Sequence, residues 1–331
     1  MKNSANIFYT MLLILSIFLP VWGMFAGSAY ADTKIDKIHF LIPAGAGGGW
    51  DGTARGVGEA LTKSKLIKRA SYQNMSGGSG GKGIAYLIKT ARRQQGTLLV
   101  NSTPILIRSL QKVFPHTFRD LTPVAAVIAD YGVFAARPDS EFRRWEDVVA
   151  AFRANPRQLR VGGGSGRRSM DGLVAALAFK ASGEDPKAVR YIPYDGGGKA
   201  LAGLLSGETE ILSTGLGEAL EQHKAGQIRI LAITAEKRSA SVPNVPTLKE
   251  LGYDAIFVNW RGFFGPPGLS EAQVSAYADL LNKMYETPAW EKVRVRNGWE
   301  NLFKPGKEFS TFLEGQEEAI GELMGELGFL E

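Results

Sequence analysis

The stretch Lys37-Ile-His-Phe-Leu-Ile-Pro-Ala-Gly-Ala-Gly-Gly-Gly-Trp-Asp51 joins a short apolar run to a glycine-rich turn. The residues that follow place Ala54, Val57 and Leu61 at helical spacing. A strand that passes through such a turn into a helix is the unit of an open α/β sheet, whose ligands bind beyond the carboxyl ends of the strands. Because strand-like and helical segments alternate along the rest of the chain, the sequence predicts an α/β fold with mainly parallel sheets.

The later elements follow from the same patterns. Further strands are predicted at residues 97–101, 123–136, 160–161, 189–192, 210–212 and 228–234. Helices are predicted at residues 145–152, 169–181, 198–206 and 216–225. Two capping boxes, Thr247-x-x-Glu250 and Ser270-x-x-Gln273, each predict the start of a later helix.

Composition excludes several classes of protein. The 331 residues suggest two domains of roughly 150 residues each. Hydrophobic residues make up 44% and charged residues 22%, which supports a packed core and argues against disorder or a coiled coil. The absence of cysteine excludes disulfides, thiolate metal sites and cysteine nucleophiles. The net charge of +6 forms no basic stripe, so nucleic acid is not a predicted partner.

The first 31 residues are typical of a secretory signal peptide. Lys2 precedes an apolar run over residues 7–25, and the segment ends in the small-residue cleavage signature Ala29-x-Ala31. The alternative is an uncleaved membrane anchor, for which the run is nearly long enough. We predict a signal peptide at residues 1–31 and a mature chain in the periplasm.

Glycine is over-represented, with 40 residues in the chain, and four clusters stand out, at residues 45–49, 77–83, 162–166 and 196–198. Each lies between a strand-like and a helical segment. Backbone N–H groups in such turns, together with helix N-termini, bind anionic oxygens without a cation. The phosphate-binding loop and the dinucleotide fingerprint both fail in detail here, so a nucleotide is disfavoured. The clusters predict several anion-binding turns that face a crevice.

The residues also suggest a serine hydrolase or a metal site as catalytic alternatives. Gly77-Gly-Ser79-Gly-Gly81 matches the nucleophile elbow of serine hydrolases, and Asp195 and His223 follow in the required order. Residues 72–76 are, however, a poor candidate for the strand that an elbow needs, which favours a flexible or anion-binding turn. The three histidines are isolated, so neither a metal site nor a cofactor is predicted.

Several stretches together resemble the substrate-binding proteins of tripartite tricarboxylate transporters. The resemblance is carried by residues 43–55, 74–81, 101–103, 161–165, 191–198, 224–234, 245–249 and 259–268, in order along the chain. The Gly-Gly-Gly-Trp-Asp51 loop and the Asn259-Trp-Arg-Gly segment are most similar to the tricarboxylate-type branch.

The resemblance implies a two-domain receptor with a type II periplasmic-binding-protein fold, which closes on a ligand in the cleft between its domains. Its domains would comprise residues 32–132 plus 255–331, and residues 133–254. Such a receptor is a monomer without enzymatic activity. It hands citrate or a related carboxylate to a membrane permease with a large and a small subunit. A sensor that presents the ligand without transport stays an alternative.

The resemblance also implies a set of ligand-binding residues. They are Ala46, Gly47, Gly48, Gly49, Trp50, Asp51, Ser102, Thr103, Gly164, Ser165, Gly166, Arg167, Arg168, Ser169, Asp195, Gly215 and Arg261. Arg167 and Arg168 depart from the small residues expected after this glycine turn. They would favour an additional carboxylate if they face the cleft, or lie solvated outside it. Trp50 and Trp260 would either wall the cleft or pack beneath it.

Overall fold

The computed structural model describes residues 35–330. The predicted signal peptide therefore lies outside the described residues. Among the helices of residues 35–330, none combines the length and the apolar character of a membrane-spanning segment.

Strands and helices alternate over most of these residues. The strands are β1 (Lys37–Ile42), β2 (Arg69–Asn74), β3 (Thr97–Ser102), β4 (Thr122–Ala136), β5 (Arg160–Gly163), β6 (Arg190–Pro193), β7 (Ile211–Gly215), β8 (Arg229–Ile233), β9 (Val258–Gly265) and β10 (Glu300–Pro305). The helices are α1 (Gly49–Lys63), α2 (Gly81–Lys89), α3 (Pro104–Leu110), α4 (Trp145–Ala154), α5 (Met170–Ala181), α6 (Gly197–Leu205), α7 (Leu216–Lys224), α8 (Glu271–Tyr285), α9 (Pro288–Asn297) and α10 (Gly306–Glu326).

The strands form two sheet regions that share the long strand β4. In the first region the order is β2-β1-β3-β9-β4, with β10 also paired to β4. Strands β1, β2 and β3 are parallel, whereas β9 and β10 run antiparallel to their partners. In the second region β7, β5 and β6 are parallel, and β7 and β8 pair antiparallel with β4. The prediction of mainly parallel sheets is therefore wrong, because every pairing of β4 and β9 is antiparallel.

Strand β4 changes partners near its middle. Residues up to Tyr131 pair with β9, whereas residues from Gly132 onward pair with β7 and β8. This change lies beside the predicted boundary between the two domains, between residues 132 and 133. The division into two domains at the predicted boundaries remains a prediction.

Each sheet region has its own apolar core. Beneath the second region, Trp145 is fully buried between Phe134 and Phe179, with ring centroids 4.5 Å and 5.3 Å away. Beneath the first, Phe40 packs on Phe263 at 5.4 Å. Large side chains that are fully excluded from water supply most of the stabilisation of such cores, and they hold the strand ends in place.

Most predicted strands and helices are confirmed to within a few residues, including the helix at Trp145–Ala154 and the one capped by Ser270. The helix predicted after Thr247 is wrong. Its capping box does form, with Glu250 N–H donating to Thr247 Oγ1 at 3.0 Å. However, Leu248 N–H donates to Ile233 O and the chain reverses at Gly252, where φ is +87°, so only a turn remains.

The prediction that residues 72–76 do not form a good strand is also wrong for residues 72–74. Arg69–Asn74 forms β2, which pairs in parallel with all six residues of β1. This edge strand is only partly buried, and its Tyr72 stacks on Phe40 at 5.6 Å. An edge strand held by backbone hydrogen bonds does not need the apolar run by which central strands are recognised.

Candidate functional site

A cavity of about 350 Å³ lies at the carboxyl ends of the parallel strands of both sheet regions. The first region contributes the segments that follow β1, β2 and β3, and the second contributes those that follow β5, β6 and β7. Strand topology therefore brings together glycine turns that are up to about 150 residues apart in sequence, as expected for an open α/β sheet.

The loop after β1 is held by Asp51. Its Oδ2 accepts a hydrogen bond from Gly47 N–H at 3.0 Å, and its Oδ1 accepts from Arg55 Nε at 2.8 Å and from Asn74 Nδ2 at 3.0 Å. Asp51 is buried and does not line the cavity. Its carboxylate instead fixes the turn that presents Gly48 and Gly49 to the cavity.

Trp50 and Trp260 have different positions. Trp50 lines the cavity, and its indole N–H donates to Ser102 Oγ, another lining group, at 2.8 Å. Trp260 is fully buried and packs edge-on against Phe309 at 5.5 Å. Trp50 therefore forms part of the wall, whereas Trp260 belongs to the core beneath the sheet.

The opposite wall begins with the turn after β5. Ser165 Oγ accepts from Asp171 N–H at 2.9 Å, and its carbonyl accepts from Tyr191 OH at 2.9 Å. The turn packs so closely on the next one that a Cβ at Gly164 would lie 2.4 Å from Gly197 N. Only glycine fits there, which keeps both backbones at the cavity surface.

Arg167 and Arg168 are exposed and do not line the cavity. Arg167 Nη2 donates to Val189 O at 3.4 Å, behind the wall. Arg168 borders a neighbouring hollow, and its carbonyl accepts from Gln111 Nε2 at 2.8 Å.

The main buried ion pair joins Arg261 to Asp130. Arg261 Nη2 lies 2.8 Å from Asp130 Oδ2, both side chains are at least 97% buried, and Arg261 also lines the cavity. Burial raises the pKa of Asp130 to about 6, although the positive charge of Arg261 opposes this shift. The guanidinium lies against Gly49, where a Cβ would be 2.1 Å from Nη2.

The structure distributes the predicted site residues as follows. Lining positions are held by Gly48, Gly49, Trp50, Ser102, Gly164, Ser165, Gly166, Ser169, Asp195 and Arg261. Positions behind or beside the wall are held by Ala46, Gly47, Asp51, Thr103, Arg167, Arg168 and Gly215.

Sequence reasoning missed several lining residues, including Asp171, Glu218, Asn259 and the turn at residues 76–80. That turn belongs to the glycine cluster at 77–83, whose role the sequence left open. The glycines of this cluster were a signal for a ligand-binding turn. The sequence did not identify β2, the edge strand that precedes them.

The residues of the hydrolase alternative do not form a triad. Ser79 lines the cavity, but Asp195 bonds to Ser76, and His223 Nδ1 accepts from Ile230 N–H at 3.3 Å. His223 does not line the cavity. His223 is therefore not placed to act as the base for Ser79.

Comparison with known proteins decides the class of this protein. The model of the tripartite tricarboxylate transporter family receptor matches residues 72–329. The chain belongs to this family. Family members are solute-binding receptors, so the protein is a receptor and not an enzyme.

Relatives and solved structures agree with this assignment. Protein BugT of Bordetella pertussis is 29% identical over 284 residues, which cover 84% of this chain and 85% of BugT. An R. palustris protein solved with adipate has a TM-score of 0.79 at 20% identity, covering 88% of this chain and 97% of the other. MatC from Rhodopseudomonas palustris, with bound malate, has a TM-score of 0.75 at 19% identity, covering 87% and 98%. The fold is that of two-domain periplasmic binding proteins.

Proposed function

We propose that this receptor binds a carboxylate-bearing small molecule, a dicarboxylate or citrate-like tricarboxylate, in the cavity between its two sheet regions. The observation that carries this proposal is the convergence of helix N-termini. Helices α1, α5, α6 and α7 all begin at or beside residues that line the cavity. Helix N-termini carry unpaired N–H groups and partial positive charge, so their convergence stabilises an anion.

The ligand carboxylates would rest against the turns at residues 46–50 and 164–168, one in each sheet region. A backbone amide site suits a carboxylate because it offers several donors without burying an unpaired lysine. The adipate and malate held by the two R. palustris structures are both dicarboxylates, which supports this class of ligand for the present chain.

Closure around the ligand would involve two domains, residues 32–132 plus 255–331 and residues 133–254. Turns of both already approach each other, since a Cβ at Gly48 would lie 3.6 Å from Gly197 N. A ligand that contacts amides on both walls favours the closed arrangement, because only that arrangement satisfies all its oxygens.

The proposed receptor is exported by the signal peptide at residues 1–31 and acts in the periplasm as a monomer. There it delivers its ligand to the large and small membrane subunits of the permease. Uptake of labelled ligand by cells with both subunits, with and without this receptor, tests the delivery step. Uptake that does not depend on the receptor would contradict delivery and favour the sensor alternative.

Isothermal titration calorimetry tests the ligand class. Citrate, malate, succinate and adipate form the acidic panel, and glycerol and glucose form the neutral panel. We expect at least one acid to bind with micromolar or tighter affinity and neither neutral solute to bind. Binding of neutral solutes alone would contradict the proposal.

A further inference from the structure

A second hollow, of about 470 Å³, lies beside the cavity and shares the turn at residues 77–79 with it. We refer to it as the outer hollow. Its other lining residues include Lys82, Arg108, Val113, Phe114 and Arg168. Arg168 follows β5 of the second sheet region, whereas the other four follow β2 and β3 of the first. The outer hollow therefore has walls from both sheet regions.

The charge of the outer hollow is positive. Lys82, Arg108 and Arg168 line it, and none of its lining residues in the described chain is acidic. Within residues 35–330, neither Lys82 nor Arg108 forms a salt bridge. Clustered charges of one sign raise the local concentration of the opposite charge, so the outer hollow attracts carboxylate groups.

Arg108 is a buried cation that carbonyl groups alone compensate. It is 7% exposed, its guanidinium donates to the carbonyls of Gly78 and Ser79, and its Cζ lies 5.0 Å from the centre of the Phe114 ring. Burial lowers the pKa of Arg108, and no acid of the described chain opposes that shift. A buried charge without a counter-charge is costly, and a carboxylate that enters the outer hollow reduces this cost.

Lys82 has no stabilising role in its own helix. It lies in the first turn of α2, which contains no acidic residue. The positive end of the helix dipole is at this terminus, so a lysine there is unfavourable for the helix. The side chain is exposed at the edge of the outer hollow. Its position suits the attraction of a negative group from outside the chain.

The rim of the outer hollow is apolar. Val113 is 65% exposed, more than the other large hydrophobic side chains of the described residues. Beside it, Phe114 lines the outer hollow with its ring against Arg108. Exposed apolar groups that border a charged recess are typical of contact surfaces for another protein. The recess fits an acidic side chain that has an aliphatic or aromatic neighbour.

We infer that the outer hollow is the docking site for an acidic, partly apolar segment of the membrane permease. A carboxylate of that segment pairs with Lys82 and Arg108, and its apolar neighbour packs on Val113. The inference rests on the proposed delivery to a permease. Because the turn at residues 77–79 lines both the outer hollow and the cavity, a segment docked there lies next to the bound ligand.

Charge complementarity and burial favour a protein segment over an anionic membrane. Arg108 is buried, and a flat layer of lipid headgroups does not reach a recessed guanidinium, whereas a single side chain does. A lipid surface would also leave Val113 among polar headgroups.

Binding to the permease tests the inference. The probe is the large and small permease subunits that support receptor-dependent uptake, purified together in phosphatidylcholine nanodiscs. We expect Lys82→Glu to weaken the binding of the ligand-loaded receptor about tenfold or more, since like charges at an interface repel. Lys82 does not line the cavity, so its Kd for the carboxylate in calorimetry should stay within about threefold of the native value, because only the distant field of one charge changes.

Lys89→Glu is the matched control. It makes the same charge change on the same helix, at an exposed position outside the outer hollow, and should bind the permease like the native receptor. Val113→Ser keeps every charge and removes the apolar rim, and we expect it to weaken binding about threefold. Rising salt concentration should weaken the binding of the native receptor more than that of Lys82→Glu.

The outcomes separate this inference from delivery itself. Native permease binding in Lys82→Glu, or equal losses in Lys82→Glu and Lys89→Glu, would overturn the inference and leave delivery standing. Binding of the native receptor to empty nanodiscs that contain phosphatidylglycerol, lost in Lys82→Glu, would assign the outer hollow to lipid and also overturn it. A native receptor that neither binds the permease nor supports uptake would contradict both.

Discussion

The hydroxyl of Ser76 donates to Asp195 Oδ1 at 2.7 Å and so joins the turn after β2 to the turn after β6 across the cavity. The two residues belong to opposite walls, 119 positions apart in sequence. If the walls separate when the proposed receptor opens, this contact would be lost. We therefore expect it to stabilise the closed arrangement.

Replacing Ser76 by alanine tests this contact. Asp195 is exposed and Ser76 is half-buried, so water weakens the bond, and a net contribution of about 1 kcal/mol or less is expected. We expect Ser76→Ala to raise the Kd of the best carboxylate about three- to fivefold in calorimetry. Ser206→Ala, an exposed serine outside the cavity, should not change the Kd. Identical affinities for both variants would show that the contact does not stabilise closure.

Gly49→Ala should break the ion pair between Arg261 and Asp130 at the cavity wall. The added Cβ would lie 2.1 Å from Arg261 Nη2, so the guanidinium must move away from Asp130. Breaking a buried ion pair in this way costs about 3 kcal/mol, and we expect a corresponding fall in the free energy of unfolding by urea denaturation. Gly52→Ala is the control, because nothing lies within 4 Å of a Cβ there. Similar stabilities of the two variants would contradict this packing.

Stability should depend on pH through Asp171. Burial raises its pKa from 3.8 to about 7 in the folded chain, so between those values the native state holds more protons than the unfolded state. The free energy of unfolding therefore falls as pH rises from about 4 to 7, by at most about 1.4 kcal/mol per pH unit for one proton.

Asp171→Asn should remove that contribution. Urea denaturation at a series of pH values should give a shallower slope for Asp171→Asn than for the native chain. In this variant the free energy of unfolding should still fall somewhat as pH rises, because the pKa of Asp130 is also raised. Asp139→Asn, an exposed acid with a side chain that is 77% accessible, should keep the native slope. An unchanged slope in Asp171→Asn would show that its carboxyl titrates normally.

Arg167 should contribute little to ligand affinity. Its side chain is exposed and lies outside the cavity lining, so we expect Arg167→Ala to bind di- and tricarboxylates within twofold of the native chain. A tenfold loss for tricarboxylates alone would show that this arginine reaches the ligand after all.

The sequence allowed the α/β order and many of the strand–helix junctions to be predicted, because alternating apolar runs and glycine turns are local signals. Asp171 and Glu218 were not recognised as cavity residues. Their positions depend on which strands become neighbours, and α5 and α7 carry no local signal for that. Arg261 was placed in the site by resemblance, but its pairing with Asp130 depends on the register of β4 against β9, which single-sequence patterns do not encode.

The central claim, that the cavity binds a carboxylate through backbone amides, is tested most directly by comparing an acid with its neutral diamide. Thermal and urea unfolding should be measured with malate and with malamide, which have the same carbon skeleton. At one hundred times its Kd, malate should add about 2.7 kcal/mol to the free energy of unfolding, whereas malamide at the same concentration should add none. Equal stabilisation by both, or by malamide alone, would contradict the account.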